Sequence, residues 1–212
     1  MPVAMESKNS VKEFQIMRWA SSECLSNPAA AEILRNRLEA LDRFDLKFMT
    51  STFNDALIME GRAYSCEQAY PIIAKFGRAD SAIAMRLETE FRRFVALTLV
   101  QPGVMHAPSG AVDMYWHYFI LHTEEYAEFC EKVWGDSNGN PKIRNHYPAT
   151  DETRPAMRDA YIRTRALYEK VFGPVQPFTK DDGSEVDVWP GDEETCGDSY
   201  SGTQNCTKHT VQ

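Results

Sequence analysis

A chain of 212 residues with 43% apolar and 25% charged side chains is long enough to bury one hydrophobic core, and its composition is that of an ordinary globular protein. No apolar run is long enough to span a bilayer, and the start MPVAMESKNSVKEFQ lacks the basic and apolar segments of a signal peptide, so a cytoplasmic location is expected. The net charge of −8 is concentrated at the C-terminal end, where residues 180–212 hold eight acids and two lysines. Without a basic stripe to neutralise phosphates, nucleic acid is not an expected partner, whereas the acidic end offers a contact for a protein partner. Five scattered cysteines with no Cys-x-x-Cys pair describe neither a disulfide framework nor a zinc ribbon.

The elements predict an all-α domain: an N-terminal extension over 1–26, a compact helical domain over 27–175 and an acidic, Gly/Ser-rich, flexible tail over 176–212. Asn27-Pro28 pairs an N-cap with proline at the first helical position, and Ile33, Leu34, Leu38 and Leu41 follow at core spacing. A shorter helix is expected from Thr52 to Glu60, and Ser65-Cys66-Glu67-Gln68 has the spacing of a capping box that would open a third. From Asp80 to Gln101, Ile83, Leu87, Phe91, Phe94, Val95 and Val100 recur at helical spacing, with Arg86, Arg92 and Arg93 largely elsewhere, and Pro102-Gly103 ends the run.

Ser109 is placed to cap a helix to about Leu121, and Thr123 to cap another that ends before Gly135. Together they make a central helical hairpin within Pro108–Cys130. After a polar loop over 135–149, a last long helix is expected from about Asp151 to Phe172, closed by Gly173-Pro174. The residues beyond are poor in aliphatics, although Val186, Val188 and Trp189 offer a means of docking on the body. Cys196 and Cys206 would close a small loop if oxidised, but in a reducing compartment two free thiols are the favoured expectation.

The chemistry-bearing residues gather around the hairpin. Asp113 and His117 are four apart, one helical turn, about 40° around the axis, so a carboxylate and an imidazole share one side. Such a carboxylate can orient a metal-bound ring or share a ligand with it. His122 is about 140° from His117 on an ideal helix and rejoins it only if the chain turns there. His106 and His146 flank the hairpin in loops. Brought together with Asp113, these histidines would offer the nitrogen and oxygen ligands of a zinc, iron or manganese site. Against this, the His-Glu-x-x-His spacing of a strong zinc motif is absent. The plainer alternative makes Asp113, Trp116 and His117 a structural network. In it Cys130 is a buried structural thiol, Trp116, Phe119 and Trp134 are core, and Arg92 or Arg93 is a solvated face or a clamp on a carboxylate such as Asp113.

Phe91-Arg92-Arg93-Phe94, Pro108-Ser109, Val112-Asp113, Trp116-His117, Ile120-Leu121-His122-Thr123, Tyr126, Phe129-Cys130 and His146-Tyr147-Pro148 carry a resemblance. Over about Ser65–Pro148 the chain resembles the glycine-rich domain-containing protein-like family of plants and bacteria. Phe119 stands where many of its members have a second histidine, and the loop GDSNGNPKIRN is longer than the family's link. The resemblance implies a helical domain in which Asp113, His117 and His146 are the positions to test, and it implies no activity. Three functions follow as expectations: metal binding through Asp113, His117, His122 and His146, a non-enzymatic interaction or scaffold module, or a recognition domain for a processed C-terminal tail.

Overall fold

A computed structural model describes residues 16, 17, 20, 26–51, 81–135, 143, 144, 150–180 and 182–191. Helix α1 spans Pro28–Arg43, and its start is built as the sequence requires. The Asn27 side chain accepts from Ala29 N at 3.0 Å and Ala30 N at 3.3 Å, with proline at the first helical position. Leu34, Leu38 and Leu41 are buried, while Ile33 is half-buried.

Helix α2, Ser81–Val100, is the hub of the fold. Ile83, Leu87, Phe91, Phe94, Val95 and Val100 are all buried, and the helix packs against α1, against the next helix (Gly110–Leu121) and against the last (Arg154–Phe172). Its burial runs nearly all round in the last two turns, where Ala96, Leu97 and Leu99 join the core. Helix α3, Gly110–Leu121, packs on it through Val112, Tyr115, Trp116 and Phe119, and Ile120 is half-buried. Ser109 caps α3 by accepting from Val112 N at 3.3 Å, as its position predicts.

The hairpin's second arm departs from expectation in two ways. Helix α4 is Thr123–Phe129, and Thr123 is its first helical residue rather than its cap. His122 occupies the junction, ending α3 with its N–H on Phe119 O at 3.0 Å and opening α4 with no side-chain cap. The joint is too tight to leave a separate capping residue. From Cys130 to Trp134 the chain then widens into a π-helical turn that buries Cys130, Val133 and Trp134 and packs on α1.

The last helix, α5, runs Arg154–Phe172, starting three residues later than expected because Thr150 and Thr153 form a hydrogen-bonded turn. It closes at Gly173, whose φ of 87° is one that a side chain resists. Ala160, Tyr161, Thr164, Leu167, Tyr168 and Val171 are buried, whereas Ala166 is exposed.

The compositional change at 176 is not where packing stops. Strands β1 (Phe178–Thr179) and β2 (Glu185–Val186) form an antiparallel hairpin in which Phe178 faces Val186. Val186, Val188 and Trp189 are buried against the body. The Trp189 ring sits 6.1 Å from Tyr161 and nearly parallel to it, 5.1 Å from Tyr168 and 6.5 Å from Phe94. The described residues are thus all-α apart from this small hairpin. The expected helices after Thr52 and Ser65, the loop residues 136–142 and 145–149, and Cys196 and Cys206 lie outside the described residues. No helix among the described residues is long and apolar enough to cross a membrane.

Candidate functional site

The i, i+4 spacing on α3 does bring Asp113 and His117 together. His117 Nε2 lies 3.7 Å from Asp113 Oδ2, an ion-pair distance when the ring is charged and long for a hydrogen bond. The two differ in exposure. The Asp113 side chain is 5% exposed and that of His117 is 36%, so a buried carboxylate stands behind an imidazole that reaches the surface. Both residues make further interactions.

The other two described histidines are engaged elsewhere. His122, at the joint, lies edge-on to Phe48 at 5.5 Å and Tyr118 at 5.6 Å. His106 joins two helices: Nε2 is 3.1 Å from Gln101 O at the end of α2, and Nδ1 is 3.3 Å from Thr164 Oγ1 on α5. Burial, aided by the charges of Arg144 and Arg163, pushes its pKa below the usual 6.5, so the neutral ring is favoured. A carbonyl can only accept, so a neutral ring donates from Nε2 to Gln101 O, and its Nδ1 lies beside the Thr164 hydroxyl, whose proton goes to Ala160 O at 2.8 Å. His146 lies outside the described residues, and among those described no cluster of three or more His, Cys, Asp or Glu side chains could hold a metal ion.

The remaining polar residues of the hairpin are ties between elements. Trp116 Nε1 donates to Tyr126 Oη at 3.1 Å, and the Tyr126 hydroxyl donates to Arg144 O at 2.6 Å, linking α3, α4 and the loop strand beyond. Trp134 Nε1 donates to Thr98 Oγ1 at 3.0 Å. Cys130 is fully buried, its sulfur 3.5 Å from Arg144 N, and burial pushes the thiol pKa up. Burial and a raised pKa both disfavour the thiolate, the form in which a cysteine reacts.

The arginine clamp exists, but not on Asp113. Arg92 binds Glu88 through Nε at 3.0 Å and Nη2 at 2.8 Å, and it also donates to Leu41 O and Phe44 O, closing the C-terminal end of α1. Arg93 donates to Glu90 Oε1 at 3.0 Å and Tyr168 Oη at 2.7 Å, with Tyr168 and Phe172 beneath its guanidinium. Both arginines satisfy the carboxylate one turn back on their own helix, which leaves neither for α3.

Glu90 is the residue that the sequence reading passed over. It is fully buried, paired with Arg86 at 2.9 Å and Arg93 at 3.0 Å, and accepts from Trp189 Nε1 at 3.0 Å. The flanking Arg-x-x-x-Glu-x-x-Arg spacing was its available signal. A similar set joins Thr50, Glu88 and Tyr115, with Thr50 Oγ1 2.9 Å from Tyr115 Oη.

The family pattern of UCP032817-like proteins matches residues 36–167, more than half of the chain. The chain belongs to the UCP032817-like family. This finding overturns the resemblance to the glycine-rich domain-containing protein-like family, whose spaced aromatic, Asp and His positions had suggested it. The match to the UCP032817-like family covers α1 from its third turn, α2, the hairpin and most of α5, and it stops before the β hairpin and Trp189. No curated protein and no solved structure matches the chain.

Proposed function

We propose that this member of the UCP032817-like family is a non-enzymatic interaction or scaffold module in which the His/Asp set belongs to a structural polar network. The observation that carries the reading is the Trp116–Tyr126–Arg144 chain of hydrogen bonds, which ties α3, α4 and the segment beyond them together next to Asp113 and His117 in the chain. The placing of His106 between Gln101 O and Thr164 supports it further. The acidic residues near the C-terminus would be the partner-facing part, suited to a basic protein surface. On this reading Trp116→Phe loses about 1 kcal/mol of stability, equally with and without chelator. Protein purified without a histidine tag contains no stoichiometric metal. Stoichiometric zinc, iron or manganese that disappears in His117→Ala would sink the proposal.

One observation favours a second reading, metal binding or proton transfer at Asp113 and His117, with His122 and His146 as further ligands. It is the buried carboxylate 3.7 Å behind a surface-reaching imidazole, the arrangement by which a second group orients a working ring. The same metal analysis decides between the two.

A further inference from the structure

Phe44 and Phe48 follow the end of α1, four residues apart, and both are only half-buried. Each has a core ring beside it. Phe44 meets Phe129 in a T-shaped contact at 5.1 Å, and Phe48 lies 6.3 Å from Phe119. The two residues help line a groove of about 410 Å³, open to solvent, between the end of α1 and the arm formed by α4 and the π-helical turn.

The charges around this groove do not balance. Arg43 pairs with Glu39 and Lys132 with Glu128, so both cations that line it are neutralised. The other two carboxylates of the lining, Asp45 and Glu125, are in no ion pair among the described residues. Asp45 gives Oδ1 to Lys47 N at 3.0 Å and keeps its second oxygen. Glu125 is half-buried in the first turn of α4, where a helix end favours a carboxylate without neutralising it. The aromatic lining also accepts a cation from the chain itself, because Lys132 Nζ lies 5.8 Å from the Phe44 ring centroid.

We propose that this groove receives an arginine side chain of a protein partner, with its guanidinium against the Phe44 and Phe48 rings and its N–H groups on Asp45 and Glu125. Arginine suits the groove better than lysine, because a planar guanidinium stacks on aromatic rings and has five donors to divide between two carboxylates. An open groove suits a side chain presented by a larger surface, whereas a free small molecule is usually enclosed by its site. The inference rests on the reading of this chain as an interaction module, and it places a contact for a basic partner on the folded body.

The test is an amide NMR titration of the full-length chain with the tripeptide acetyl-Gly-Arg-Gly-amide at constant ionic strength. Saturable shifts are expected at residues 44–48 and 125–132, with a Kd of about 1 mM. The citrulline version of the peptide, similar in shape and uncharged, should bind about tenfold more weakly or less. Glu125→Gln should weaken the arginine peptide about threefold, and Asp45→Asn with Glu125→Gln about tenfold, while the amides of α2 stay in place. Lys132→Gln should tighten binding about twofold, since it uncovers Phe44 and leaves Glu128 without its partner. Shifts that do not saturate, that map away from the groove, or that are equal in parent and double variant overturn the site. Equal affinity for the lysine peptide overturns the choice of arginine. Stoichiometric metal would sink the interaction reading without altering this titration, so the two failures are told apart.

Discussion

His106 shows most clearly what a single residue's surroundings decide. In the chain it is one of four histidines near the hairpin and a candidate ligand. In the fold it is a strut between α2 and α5. Its lowered pKa has a consequence for stability. The unfolded state takes up a proton near pH 6.5 and the folded state only at lower pH, so stability is full above 6.5 and falls as pH drops through the interval between the two values. Urea unfolding between pH 7 and pH 5 should therefore show a declining midpoint, and His106→Gln should flatten the decline; an identical slope in the variant would contradict this. Asp113 and His117, by contrast, were legible as a pair because helical spacing alone brings them within 3.7 Å. That Asp113 is buried and His117 is not depends on what packs on α3, which no spacing rule contains.

At the scale of elements, two caps that look alike in sequence do different work. Ser109 lies outside α3 in an extended conformation and bonds Val112 N, whereas Thr123 is already inside α4. Ser109→Ala should cost about 1 kcal/mol, and Thr123→Ala only a few tenths of that, measured as the shift in urea midpoint. Equal losses would mean that Thr123 caps in solution. The start at Asn27-Pro28 and the stop at Gly173 are legible in the sequence because each rests on local backbone chemistry. The π-helical turn at Cys130–Trp134 was not foreseen. Its register serves contacts with α1 and Thr98 that lie far away in sequence.

At the scale of the whole molecule, the residues after Gln176 do more than their composition promises. Trp189 reaches back 99 positions to Glu90, while Tyr161 Oη donates to Pro190 O at 2.7 Å and Arg165 Nε to Trp189 O at 2.9 Å. These bonds fasten the C-terminal strap across α2 and α5. Trp189→Ala should cost about 3–5 kcal/mol, because it empties a fully buried aromatic site and strips Glu90 of one donor. The measurement is equilibrium unfolding, and a loss below about 1 kcal/mol would show that the strap contributes little. The family match spans residues 36–167, so Glu90, Tyr161 and Arg165 lie inside it while Trp189 and Pro190 lie outside.

The helical class, the positions of α1, α2, α3 and α5, and the Asp113–His117 pair were determined by the sequence itself, since periodicity, caps and i, i+4 spacing act over a few residues. Tertiary structure alone decided the partners of the charged and polar groups. Arg92 and Arg93 took the carboxylates one turn away, His106 turned to Thr164, and Glu90 became the buried anchor of Trp189. Each of these outcomes is a competition for hydrogen bonds among groups distant in the chain, and only folding brings the competitors together.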